Sequence, residues 1–181
     1  MTTIIAVQGK SKVVFGADSQ VTGGNGRVQR HNKMTKITER GPYLIAGSGE
    51  CAPCDIAQHL WKPPTPKIAE WNDIYHFMIA KVVPSLKACF KENEYKWDRE
   101  DEETKFNFLI ALGGQIFEMA DDMSITLDSS GFYGVGSGSP YAIGALEAGA
   151  TVEQALEIAA KNDAYTSQPF LYFEQMKKGA V

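Results

Sequence analysis

The chain opens with two pairs of short β-forming runs, and the first pair constrains the fold most, because neither of its strands alternates between polar and apolar residues. Residues 2–8 and 12–17 are rich in Thr, Ile and Val and flank Gly9-Lys10-Ser11, turn chemistry that predicts a β-hairpin. A strand that is apolar on both faces needs cover on both, so this hairpin belongs to a sheet held between other layers. The second pair comprises residues 34–38 and 43–47, joined by a turn at Glu39-Arg40-Gly41-Pro42.

Helical patterns come next. Residues 51–61 form one helix, ended by the proline-rich Lys62-Pro63-Pro64-Thr65-Pro66. Residues 72–90 carry Ile74, Phe77, Met78 and Val82 at helical spacing and predict an amphipathic helix kinked near Pro84. The charged stretch 93–105 reads as a solvated loop. Residues 106–112, 115–120 and 123–127 then predict a three-stranded meander around a Gly113-Gly114 turn, with 132–136 as a fourth strand.

Ser139-Pro140 starts another helix, which Gly149 closes. Thr151-Val152-Glu153-Gln154 has the capping-box pattern, and Val152, Ala155, Leu156, Ala159 and Ala160 make one apolar face behind it. The tail at 169–174 returns as a strand. Strands, helices, strands, helices, with no internal repeat or linker, give one domain over residues 1–181. Its class is α+β, a sandwich with two sheets inside and helices outside, the four-layer αββα arrangement.

Charge and composition exclude several functions. The 181 residues are 44% hydrophobic, and their net charge of -4 offers no footprint for a phosphate backbone, so nucleic acid is not an expected partner. No apolar run reaches the roughly 18 residues of a membrane span, and the start Met1-Thr2-Thr3 is not a signal sequence. Three cysteines, an odd number, suit a reducing cytoplasm better than a disulfide framework.

Chemistry gathers at the ends of the hairpins. A turn centred on Lys10 pairs residues whose numbers sum to about 20, which sets Thr2 opposite Asp18. The second turn, near Arg40 and Gly41, sets Lys33 opposite Ser48 and next to Gly47. With the two hairpins as neighbours in one sheet, Thr2, Asp18, Lys33 and the Gly47 backbone converge. A threonine hydroxyl needs a base, and a free α-amine on the same residue, titrating near 7.7 to 8.0, is one. The Lys33 cation would keep protons off that amine, Asp18 would hold Lys33 charged, and the Gly47 N–H would approach the developing oxyanion.

These residues carry a family resemblance. Thr2-Thr3-Ile4-Ile5-Ala6-Val7, Gly16-Ala17-Asp18-Ser19-Gln20-Val21-Thr22, Lys33 and Ile45-Ala46-Gly47 resemble the opening of proteasome β-subunits and of the bacterial heat-shock locus V peptidase. Lys36 lies close by, but Met34 and Ile37 follow Lys33 with the family's apolar spacing. Gly136-Ser137-Gly138-Ser139-Pro140-Tyr141-Ala142 and Asp163-Ala164-Tyr165-Thr166 resemble two later segments of the family. By that resemblance Ser137, Asp163 and Thr166 surround the N-terminal amine.

The resemblance implies an N-terminal nucleophile hydrolase fold and a threonine endopeptidase that acts through Thr2 once Met1 is removed. It also implies stacked homo-oligomeric rings, polypeptide substrates fed by an ATP-dependent unfoldase ring, a cytoplasmic setting and no cofactor. Two alternatives stay open: a non-catalytic scaffold of the same fold, and an amidase for small substrates. Rival motifs are weaker. Cys51-Ala52-Pro53-Cys54 suits disulfide exchange but lies outside a βαβ pattern, and with His59 it lacks a fourth zinc ligand. Gly9-Lys10-Ser11 lacks the first glycine of a phosphate loop, and Ser137 lacks the glycine two before it that a nucleophile elbow needs.

Overall fold

The computed structural model describes residues 2–23, 25–30, 35–97 and 106–178. Met1, Lys33, Met34 and the larger part of the charged stretch 93–105 therefore lie outside the described residues.

In chain order the first strands are β1 (Ile4–Gln8), β2 (Lys12–Ala17), β3 (Gln20–Thr22), β4 (Val28–Arg30), β5 (Ile37–Arg40) and β6 (Tyr43–Gly49). Helices α1 (Cys51–Asp55), α2 (Ile74–Phe77) and α3 (Val83–Glu92) follow. The second half brings β7 (Phe106–Leu112), β8 (Gln115–Met119), β9 (Ile125–Thr126), β10 (Phe132–Val135), α4 (Ser139–Glu147), α5 (Val152–Asn162) and β11 (Leu171–Met176). One sheet has the order β10-β1-β2-β11 and the other β5-β6-β7-β8-β9, while β3 and β4 form a separate ribbon.

The two N-terminal hairpins are thus in different sheets, not neighbours in one as the sequence suggested. Both sides of the β1-β2 hairpin are already taken, by β10 and β11, so the β5-β6 hairpin has no edge there to join. It faces the first sheet instead. Alternate residues reveal the layers, since successive side chains in a strand point to opposite faces. Ile4, Ala6, Phe15 and Ala17 share an inter-sheet core with Ile37, Leu44, Ala46 and Leu109. Ile5, between two of these, packs outward on Ala142, Leu146 and Leu156 of α4 and α5. Ile45 packs outward with Leu86 and Phe90 of α3. The expected four-layer αββα sandwich is the architecture found.

Helix boundaries follow local chemistry. In α5 the Thr151 hydroxyl accepts from Gln154 N at 3.2 Å and the Gln154 side chain accepts from Thr151 N at 2.9 Å, the reciprocal capping box. Gly149, at φ 92°, ends α4 in a conformation that only glycine adopts without strain. The long helix expected at 72–90 is segmented: a 3₁₀ stretch Ile68–Asp73 leads into α2, and a π-helical turn Met78–Val82 separates α2 from α3. Pro84 accounts for the wide turn, because it has no N–H to give the preceding turn, and the Val83 N–H reaches back to the Met78 carbonyl instead. The first helix likewise continues past α1 as a π-helical turn, Ile56–Leu60. Among the described residues no helix is long and apolar enough to cross a membrane.

Sheet and helix layers come close at Gly16. A Cβ on that residue would stand 2.7 Å from Val152 Cγ1 and 2.9 Å from Leu156 Cδ1. Gly16→Ala is expected to destabilise the fold by about 1–3 kcal/mol, the cost of overpacking a filled core. A denaturant midpoint unchanged from that of the parent protein would contradict this account of α5 docking.

Candidate active site

Strand register brings the N-terminal residues to a buried carboxylate. In the β1-β2 ladder Ile4 faces Ala17, so paired numbers sum to 21, and the Asp18 N–H donates to the Thr3 carbonyl at 3.1 Å. Thr3 rather than Thr2 is the residue opposite Asp18, one position from the expectation. Thr2 nevertheless reaches it: the Thr2 hydroxyl donates to Asp18 Oδ1 at 2.9 Å, and the Thr3 N–H donates to the same oxygen at 2.8 Å. Asp18 is 0% exposed. Its other oxygen accepts from Gln20 N at 2.9 Å and Ser167 N at 3.5 Å, so the chain just after β2 wraps the carboxylate that ends it.

The cation on Asp18 is Lys36, with Nζ 2.6 Å from Oδ1 and 2.7 Å from the Gln20 carbonyl. The expected Lys33 lies outside the described residues, three positions earlier. Turn length accounts for the difference. The second hairpin closes through Gly41-Pro42 alone, Ile37 faces Ala46, and paired numbers sum to 83, which puts Lys36 opposite Gly47. A turn placed slightly too early shifted the sequence register by two residues. Lys36 crosses from the second sheet to the carboxylate of the first. Burial holds its pKa below the usual lysine value, with the Asp18 charge pulling the other way.

A second group converges from the far end of the chain. Thr166 donates to Asp163 Oδ2, which leaves its lone pairs to accept the Thr3 hydroxyl. Ser137 Oγ donates to Asp163 Oδ2 at 2.9 Å and stands 3.5 Å from the Thr2 carbonyl. Two glycines make room. A Cβ on Gly138 would stand 2.1 Å from the Thr3 hydroxyl, and one on Gly136, at φ 95°, 2.1 Å from the Thr2 carbonyl oxygen. Thr3, wholly buried, joins the two groups and was not singled out from the sequence. Its only signal there was its place beside Thr2.

A cavity of about 160 Å³ opens at this point, lined by Thr2, Lys36, Gly47, Cys51, Cys54 and Asp55 among others. Gly47 is where the sequence put it, but for a different reason. A Cβ there would stand 2.7 Å from Cys54 Sγ and 2.8 Å from the Phe108 ring, so packing demands the glycine, and its N–H donates to the Lys36 carbonyl at 3.3 Å. Of the expected residues, Thr2, Asp18, Ser137, Asp163 and Thr166 are brought together, and Gly47 lines the adjoining cavity.

Two sheets between helix layers, with a threonine just ahead of the first strand set on a buried acid that also holds a lysine, define the N-terminal nucleophile hydrolase class of fold. Solved structures of that class overlie nearly the whole chain. The BPH protein of Thiobacillus denitrificans, solved in complex with epoxomicin, matches with a TM-score of 0.74 at 22% identity, over 97% of this chain and 99% of that one. HslV from Trypanosoma brucei matches with a TM-score of 0.67 at 18% identity, over 95% and 98%. In sequence, the ATP-dependent protease subunit HslV of Syntrophobacter fumaroxidans is 26% identical over 96% of this chain and 95% of its own length. No family model matches the chain. By fold and by likeness along its length, the chain is similar to the proteasome β-subunit and HslV family.

The Asp18–Lys36 pair is desolvated, with side-chain exposures of 0% and 14%. Removing one partner of such a pair strands the other charge, so Asp18→Asn is expected to lower stability by about 3–5 kcal/mol. The double variant Asp18→Asn with Lys36→Met should recover part of that loss. Equal urea midpoints for the single variant and the parent would refute the role given to the pair.

Proposed function

We propose that this chain is a threonine-type endopeptidase subunit of a proteasome-like assembly, a single peptidase domain that uses Thr2 as nucleophile after Met1 is removed. The observation that carries the reading is the Thr2 hydroxyl on Asp18 Oδ1, the same oxygen that holds the Lys36 ammonium, beside a cavity able to take a substrate side chain.

The chemistry follows from those groups. The free Thr2 amine takes the proton of the Thr2 hydroxyl, directly or through water, and the oxygen attacks the scissile carbonyl. Lys36, rather than the expected Lys33, supplies the positive charge that favours the developing alkoxide and keeps the amine unprotonated. Asp18 holds that charge in place. The long Gly47 N–H bond to the Lys36 carbonyl leaves this donor able to share itself with the oxyanion as a three-centre bond. Ser137, Asp163 and Thr166 orient the amine end and offer it a proton relay. Collapse of the tetrahedral intermediate hands a proton to the leaving amine and leaves an acyl-enzyme on Thr2, which water then hydrolyses.

Likeness to HslV, named as an ATP-dependent protease subunit, supports the remaining parts of the reading: stacked homo-oligomeric rings, polypeptide substrates, an ATP-dependent partner ring and a cytoplasmic setting. With Met1 in place the Thr2 nitrogen is an amide, which accepts no proton near neutral pH, so processing decides activity.

Protein whose intact mass shows a free Thr2 is expected to cleave fluorogenic peptides and to be labelled by epoxomicin, whereas Met1-bearing protein and Thr2→Ala do neither. Lys36→Ala should lose about 10²–10⁴-fold in kcat/KM, the range of a positioned acid–base group, while Lys33→Ala keeps most of its rate. A fully processed, assembled protein with neither turnover nor labelling would sink the peptidase reading and favour the scaffold.

The pH profile carries a sign. Activity needs the Thr2 amine neutral and Lys36 charged, so kcat/KM rises as the amine loses its proton and falls as Lys36 loses its own. Because burial lowers the Lys36 pKa, the alkaline limb should lie below the roughly 10.4 of an unperturbed lysine. A limb at or above that value would show that Lys36 is not the group titrating.

A further inference from the structure

Cys51 and Cys54 take no part in the chemistry above, yet both line the cavity that holds Thr2 and Lys36. Both are free thiols, Cys51 exposed and Cys54 largely covered. They are the first and fourth residues of α1, and helical rise and radius put Cα atoms three residues apart at about 5 Å. That lies inside the roughly 4.4–6.8 Å a disulfide spans, so a cross-link asks for side-chain rotation and little backbone movement. Cys54 Sγ sits against the Gly47 backbone, at the spot that the Phe108 ring also approaches. The third cysteine, Cys89, is buried on α3 and does not line this cavity.

We propose that Cys51 and Cys54 form a thiol–disulfide exchange site in the wall of the substrate cavity, with a low-molecular-weight disulfide of the glutathione type as its oxidant, and that closing it stops hydrolysis reversibly. The consequence for hydrolysis rests on the peptidase reading; the exchange chemistry does not.

The order of events follows from exposure. Burial pushes the Cys54 thiol up to about 12, so it stays protonated near neutral pH, and the exposed Cys51 meets the reagent first. The Cys51 thiolate attacks one sulfur of the reagent, forming a mixed disulfide and releasing one thiolate. Cys54 then gives up its proton and attacks the Cys51 sulfur, displacing the second thiol. Two electrons pass from the cysteine pair to the reagent, whose disulfide becomes two thiols. Both oxidised states obstruct substrate. The mixed disulfide puts a tripeptide-sized group into a space of about 160 Å³, and the closed form draws Cys54 Sγ off its seat beside Gly47.

The test uses assembled full-length protein, reduced, freed of reductant and incubated with glutathione disulfide. Intact mass and peptide mapping should show a product two hydrogens lighter than the reduced chain, linked between Cys51 and Cys54. Peptide hydrolysis should fall by about tenfold or more, a change of roughly 1.4 kcal/mol or more in the barrier, and return with dithiothreitol. Cys51→Ser should hold its own untreated rate through the same treatment, whereas Cys54→Ser, or Cys54→Ala if the serine variant does not fold, should stop at the mixed disulfide on Cys51 and lose activity until dithiothreitol removes it. Cys51 left as a thiol, glutathione retained on Cys51 without transfer to Cys54, or a linked protein hydrolysing at the reduced rate would each overturn the proposal. If the reduced protein with a free Thr2 is itself inactive, the peptidase reading fails while the mass map still decides the exchange site.

Discussion

One buried carboxylate organises the N-terminal end of the molecule. Asp18 has no access to solvent, so each of its lone pairs must find a donor within the protein or the charge would not be tolerated. It finds them in the Thr2 hydroxyl, the Thr3, Gln20 and Ser167 backbones and the Lys36 ammonium. Those donors come from the residues just before β1, from the start of β3, from the residue before β5 and from the segment before β11. Sequence separations of up to 149 residues are thereby closed on a single side chain. The pair with Lys36 is one polar tie between the two sheets, which are also bridged by Gln8 Oε1 accepting from Ile116 N and by Gln175, which accepts from Gly114 N and donates to the Pro42 carbonyl. Such a pair adds little net stability against a hydrophobic replacement, but it fixes which atoms meet.

The second network has a different character. Thr3, Thr166, Asp163 and Ser137 form a chain of hydroxyls ending on a half-exposed acid, and the glycines at 136 and 138 let it come within contact of the N-terminal backbone. Asp18 grips the Thr2 hydroxyl from the side of the sheet, and this chain grips the peptide that follows it. Thr2 therefore sits in the site with its carbonyl, its neighbouring side chain and its hydroxyl all committed. That is pre-organisation by hydrogen bonds rather than by bulk, and it is paired with a cavity that remains open on the other side.

Much of this was legible in the sequence. The strands of the first hairpin, the capping box at Thr151 and the glycine stop at Gly149 rest on local rules, and each is found within a residue or two of its expected place. The site residues from 137 onward came from family likeness alone, since nothing local ties Asp163 to Thr2. What was not legible depends on distant pairing. Whether two hairpins share a sheet is decided by which strand takes each edge, and β10 and β11, more than a hundred residues away, took both. Lys36 was missed through turn length: a two-residue loop and a four-residue loop both suit Glu39-Arg40-Gly41-Pro42, and the choice moves every partner along the strand.

The small residues of the inter-sheet core act as a spacer. At the end of the sandwich nearest the site, the layer between the sheets is built on Ala17 and Ala46, each next in sequence to a site residue, Asp18 and Gly47. Asp18 belongs to one sheet and Lys36 to the other, so the span between them is set by how far apart those alanines hold the two backbones. A lysine side chain is flexible, but its fully extended length sets an upper limit on the gap it can bridge. The reach demanded of Lys36 is therefore set in part by residues outside the ion pair. A chain with bulkier side chains at those two positions would part its charges while keeping every residue of the site, a change to the pair that inspection of the site alone would not detect.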